Sequence, residues 1–140
     1  MKKTVVLSIR GRQHYAEQQP DVIELVTEGT LERTEDGFRI SYEESDLTGL
    51  DGVKTTFYVK EKEMSLTREG NLNSHMVFRE GVPHDSLYEM GFGALMLTVC
   101  ATKVESSLTD NGGTIDLVYS ISVEQNAAGV IDYHLDMKAK

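Results

Sequence analysis

Cysteine, basic charge and long apolar runs are all scarce in this chain of 140 residues, and each shortage removes a class of protein. Cys100 is the sole cysteine, so no intrachain disulfide can staple the fold. Its place in the apolar run Leu95 to Ala101 predicts a buried, inert thiol in a reducing compartment. The 14 Lys and Arg are scattered and outweighed by 23 Asp and Glu, for a net charge of −9. Neutralising phosphates takes a concentrated basic face, so no nucleic-acid partner is expected. No run reaches the length of a membrane span. The opening residues imitate a secretory leader, but Arg10 ends their apolar stretch early and no small-residue cleavage site follows. They are expected to form the first strand of a cytoplasmic protein.

Recognisable chemical motifs are missing as well. The acidic cluster Glu43, Glu44, Asp46 and Asp51 lacks the alternate-residue spacing of an EF-hand loop, and a solvated loop is expected there. His14, His75, His84 and His134 are dispersed, so neither a metal site nor a cofactor is expected. His84, Asp85 and Ser86 are consecutive, without a nucleophile elbow, and read as a turn after Pro83. Gly91-Phe92-Gly93 has neither the third glycine nor the helix of a dinucleotide fingerprint. No catalytic residue is assigned.

A helical period is nowhere sustained; what the chain has instead is alternation. Ile115, Leu117, Tyr119, Ile121 and Val123 interleave with Asp116, Ser120, Ser122 and Glu124, one face suited to a core and the other mostly to water. Similar stretches predict strands over Thr4 to Arg12, Val22 to Thr34, Phe38 to Glu44, Val53 to Glu61 and Glu63 to Glu69. Four more follow over Leu72 to Glu80, Tyr88 to Leu108, Thr114 to Glu124 and Val130 to Lys138. The links, such as Glu35-Asp36-Gly37 and Asp110-Asn111-Gly112-Gly113, are short and rich in turn residues, which predicts an up-and-down order. The long seventh strand has confused parity that a bend or bulge near Gly91 or Gly93, or burial on both faces, would reconcile. A meander of this length leaves two unpaired edges unless it closes, so we expect one all-β domain over residues 1–140. Its form would be a closed antiparallel barrel of about 8–10 strands, either filled or holding one small ligand.

Several stretches together resemble the YwiB-like family of small bacterial proteins. They include Val26-Thr27-Glu28-Gly29-Thr30-Leu31, Ile40-Ser41-Tyr42-Glu43-Glu44-Ser45, Leu47-Thr48-Gly49-Leu50-Asp51-Gly52 and Lys54-Thr55-Thr56. Gly70-Asn71-Leu72-Asn73-Ser74, Met76-Val77-Phe78, Ser86-Leu87-Tyr88, Gly93-Ala94-Leu95 and Leu108-Thr109-Asp110 continue the likeness. The resemblance implies a lipocalin-like, calycin-type barrel. It implies no activity and carries over no catalytic residue.

Strand direction places candidate site residues at one end. Loops Gln13 to Asp21 and Ser45 to Gly52 would crown the same opening, the first as a lid. Arg68 keeps parity with Met64 and Leu66, and Glu44 with Phe38, Ile40 and Tyr42, so both charges should point inward near it. Thr55 shares parity with Phe57 and Val59, and Ser74 with Leu72, Met76 and Phe78, while Thr102 or Cys100 approaches the same level. Arg68, Glu44, Tyr42, Thr55, Ser74 and Met76 are therefore the expected ligand-binding residues. A buried guanidinium needs a partner, and its donors suit a carboxylate or phosphate. Glu44 offers an internal one, in which case the two form a structural pair that plugs the barrel. The remaining methionines, Met64, Met90, Met96 and Met137, read as core filler.

Three functions are consistent with these residues. The first is a non-catalytic barrel binding a small apolar or amphipathic molecule, with Arg68 meeting an acidic headgroup. The second is a filled barrel acting as a homodimer or adaptor through outward positions such as Tyr58, Val77 and Val118. The third is an enzyme using Glu44 and Arg68 as an acid/base and anion-holding couple.

Overall fold

The computed structural model describes residues 2–14, 21–44, 52–89, 93–124 and 126–140, and they contain ten strands and no helix. These are β1 (Lys2–His14), β2 (Asp21–Arg33), β3 (Gly37–Glu43), β4 (Val53–Lys60) and β5 (Glu63–Gly70). Then come β6 (Ser74–Phe78), β7 (Pro83–Glu89), β8 (Ala94–Thr109), β9 (Gly112–Val123) and β10 (Asn126–Ala139). All pair antiparallel in one sheet of order β6-β5-β4-β3-β2-β1-β10-β9-β8-β7. The first strand meets the last along its length, from Val5 opposite Ala139 to His14 opposite Val130. The sheet therefore curls into a nearly closed barrel whose seam lies in mid-chain, between β6 and β7.

The seam is sealed differently from the other junctions. Two backbone bridges flank it: Asn73 and Glu89 each donate an N–H to the other's carbonyl at 2.9 and 2.8 Å, and at the turn the Val82 N–H donates to the Arg79 carbonyl at 3.0 Å. Farther down, side chains of β7 cover the edge of β6: the Ser86 hydroxyl donates to the His75 carbonyl (2.7 Å) and the Val77 N–H donates to His84 Nδ1 (3.3 Å). Covering an edge in this way removes a template for unwanted pairing.

Ten strands replace the nine expected because the Tyr88 to Leu108 run is two strands. The run reverses between β7 and β8, and β7 begins at Pro83, where an edge strand tolerates the missing N–H. The expected turn after Pro83 is thus strand. Leu97, Val99 and Ala101 face inward while Met96 is exposed, so Met96 is not core filler. A bulge does occur, between Ala101 and Lys103, after which Val104 and Leu108 pack on the core. The alternative placement at Gly91, like Met90, lies outside the described residues. Because of the extra strand, β9 starts at the end opposite the one expected.

Inward residues fill the lower barrel: Val5 and Leu7 of β1, Phe57 and Val59 of β4, Phe78 of β6, and Ile115 and Leu117 of β9 are almost fully buried. Gly29 of β2 allows two strands to meet closely. A Cβ there would stand 2.4 Å from the Ser41 carbonyl oxygen and 3.2 Å from the Tyr42 Cβ, in the pair Gly29 and Tyr42. Its lack of a side chain seats the Tyr42 ring inside.

Candidate functional site

Strand register builds one rung across the interior. Tyr42 pairs with Thr55, Thr55 with Arg68 and Arg68 with Ser74, so β3, β4, β5 and β6 each place one polar side chain at the same level. Glu44 stands one inward step above Tyr42, its N–H held by the Val53 carbonyl at 2.8 Å. Its carboxylate is buried and accepts the Thr55 hydroxyl at 2.5 Å. Met76 pairs with Leu66 one step lower and belongs to the core.

The opposite wall was not foreseen from the sequence. Tyr133 of β10 reaches across the barrel, and its hydroxyl bonds that of Tyr42 at 2.8 Å. Tyr133 packs on Phe57 (ring centroids 5.6 Å apart) and Tyr119 on Phe78 (4.6 Å), and these rings floor a cavity above the packed core. The cavity measures about 230 Å³ and is bounded by Arg68, Glu44, the four tyrosines 42, 88, 119 and 133, and an apolar wall of Ile9, Ile23, Leu25 and Ile131. Of the six expected residues, Arg68, Glu44 and Tyr42 line it; Thr55, Ser74 and Met76 do not, and Met76 belongs to the core below. The parity of Tyr133 with Ile131, Leu135 and Met137 is the signal that would have found it.

The electrostatics separate donors from acceptor. Arg68 Nε is 4.0 Å from Glu44 Oε2, an ion pair too long for a hydrogen bond. The Arg68 side chain is 15% exposed, yet its Nε finds no hydrogen-bond partner among the described residues, and neither does the Ser74 hydroxyl. Burial opposes the guanidinium charge, but Tyr133, Tyr119, Tyr42 and Glu44 outweigh it and hold Arg68 above its ordinary pKa. Burial, then Tyr133 and Glu44, pushes Tyr42 far above the phenol range, and burial raises Tyr133 too. Both hydroxyls stay protonated. One of their two protons lies between them, which leaves one O–H to donate elsewhere.

The other expected constellations do not assemble. Cys100 and Thr102 face away from the interior; Cys100 is half-buried and Thr102 is exposed. Asp85 accepts from Thr98, Ser86 donates to the His75 carbonyl and His84 accepts from Val77, so the three diverge. No group of three or more His, Cys, Asp and Glu suited to a metal occurs among the described residues. Tyr58 is exposed, while Val77 and Val118 are half-buried. Asp46, Asp51, Gly91, Phe92 and the body of both expected crown loops lie outside the described residues.

A family model for a domain of unknown function, DUF1934, matches residues 7–137. The uncharacterized beta-barrel protein YwiB of Bacillus subtilis (strain 168) is 32% identical over 104 residues, 74% of this chain and 71% of that protein. The crystal structure of the ywiB protein from Bacillus subtilis superposes with a TM-score of 0.89, covering 99% of this chain and 93% of that one at 23% identity. At that identity the superposition speaks for the fold.

Proposed function

This chain belongs to the DUF1934 family of β-barrel proteins, and from its cavity we propose that it is a non-catalytic binder of a small amphipathic carboxylate. The observation that carries this reading is the buried Arg68 Nε–H at the cavity wall, which has no hydrogen-bond partner among the described residues. Leaving a buried donor unsatisfied costs about 1–3 kcal/mol, and more when it is charged, so an oxygen that accepts from it recovers that loss. The spare tyrosine O–H is a second donor at the same level. Ile9, Ile23, Leu25 and Ile131 suit an apolar body.

Size limits the ligand. At about 30 Å³ per water the cavity holds roughly eight waters, below the range of drug-sized pockets. A carboxylate of about six carbons matches this volume better than a long-chain fatty acid.

Calorimetry with hexanoate, hexanol and palmitate tests the proposal. Hexanoate is expected to bind about tenfold or more tighter than hexanol, and palmitate not to bind. Arg68→Met should abolish the preference. It takes away the cation facing the buried Glu44 carboxylate, at a cost on the order of 3–5 kcal/mol, so the double variant Arg68→Met/Glu44→Gln, which removes both charges, provides a folded comparison. Equal affinity for hexanoate and hexanol, or no binding of either, refutes the reading. Native mass spectrometry of gently purified protein adds the mass of any co-purifying molecule.

A further inference from the structure

One of the contacts that seal the β6–β7 seam depends on an imidazole that must be neutral. His84 Nδ1 accepts the Val77 N–H, so it carries no proton and the ring's proton sits on Nε2. The same tautomer leaves Nε2 without a free lone pair for a metal, although the His75 ring stands edge-on with its centroid 6.4 Å away. His75 is placed differently. Its Nδ1 meets the Thr67 hydroxyl at 2.8 Å, a group that donates or accepts, so that bond survives protonation. A proton on His84 Nδ1 would instead face the Val77 N–H, donor against donor.

The charges around His84 do not offset such a proton. From β6 the facing group is His75, itself a cation once protonated. On β8 the paired residue is Val99, with Cys100 opposite Pro83. On β7 Asp85 turns its carboxylate to the Thr98 hydroxyl at 2.7 Å. In the connecting turn Arg79 pairs with Glu63, and Glu80 accepts the Val104 N–H at 3.3 Å.

The geometry points to His84 as an acid-released latch in the lower seam: its protonation expels the Val77 N–H and loosens β7 from β6 below the Asn73–Glu89 bridge. Tyr88 in the cavity wall adjoins that bridge, whose two N–H···O bonds do not titrate, so the loosening is confined to the seam beneath the cavity. The latch does not rest on the binding function proposed above.

Amide exchange of the unliganded protein, each rate divided by its intrinsic rate at the same pH, tests the latch. Between about pH 8 and about pH 5, where imidazoles titrate, Val77 should lose about tenfold or more of its protection while Ile9, inside the β1 ladders, holds. His84→Gln supplies an acceptor that does not titrate and should keep Val77 protected throughout; His75→Gln should leave the loss in place. Unchanged Val77 protection in the unaltered chain, or a loss that persists in His84→Gln, overturns the proposal. If that variant does not fold, the ¹⁵N shifts of His84 decide: the loss must follow its titration, and a loss that does not is equally fatal.

Discussion

At the residue scale, two positions test how far local geometry governs the barrel. An alanine at Gly29 would press its Cβ to 2.4 Å from a backbone oxygen and 2.8 Å from the Leu7 Cδ1, contacts that β2 and β3 relieve only by moving apart. Gly29→Ala is expected to cost about 1–3 kcal/mol in urea unfolding and to disturb the Tyr42–Tyr133 bond. The second position is His134, held by Asp116 at 2.6 Å and Asp136 at 3.0 Å on the outer face. Its hydrogen bond to Asp116, against a smaller desolvation, raises its pKa when folded. A raised folded value gives stability that is fully present below the unfolded pKa and fades as pH climbs through the folded one. His134→Gln should therefore lower the urea midpoint at acidic pH more than at alkaline pH. An equal effect at both ends would show that the carboxylates do not favour the charged ring.

At the scale of elements, most strands were legible in the sequence because each buries one face, and period-two alternation records that directly. The polar rung was legible for the same reason: Tyr42, Thr55, Arg68 and Ser74 share parity with apolar neighbours, and register then sets them side by side. Parity says nothing about the wall across the barrel. Tyr133 was passed over because its meeting with Tyr42 spans 91 positions of sequence and depends on curvature, not on spacing. The β7–β8 reversal was missed where apolar residues run on through Met90 to Leu97 without a polar break. The bulge at Ala101 hid for a related reason, since one extra residue swaps the two faces of a strand in mid-course. Closure of the first strand on the last was legible, because a meander without free edges requires it, and β1 and β10 pair from Val5 opposite Ala139 to His14 opposite Val130; the weak β6–β7 junction was not, since consecutive strands usually pair, yet here the bridges Asn73–Glu89 and Arg79–Val82 only flank them.

For the whole molecule, two opposing features meet at the cavity. A net charge of −9 repels a carboxylate from a distance, but screening over about 8 Å at physiological salt confines the contest to the groups lining the site. There the interior changes character, from close-packed apolar residues below to a hollow above the tyrosine floor. Gly11 stands on that boundary, opposite Tyr133, and a Cβ on it would rest 3.8 Å from the ring, an ordinary contact. Gly11→Leu is thus expected to grow into the hollow without displacing backbone, keeping or raising stability because strand interiors lose entropy at glycine. In the unaltered protein, hexanoate at about 100 times its Kd should stabilise by about 2.7 kcal/mol and raise Tm by roughly 5–10 °C. In Gly11→Leu that rise should vanish while the unliganded Tm does not fall. A variant that keeps the full hexanoate shift would place the ligand outside the barrel, and one that unfolds would mean the upper interior is packed and not hollow.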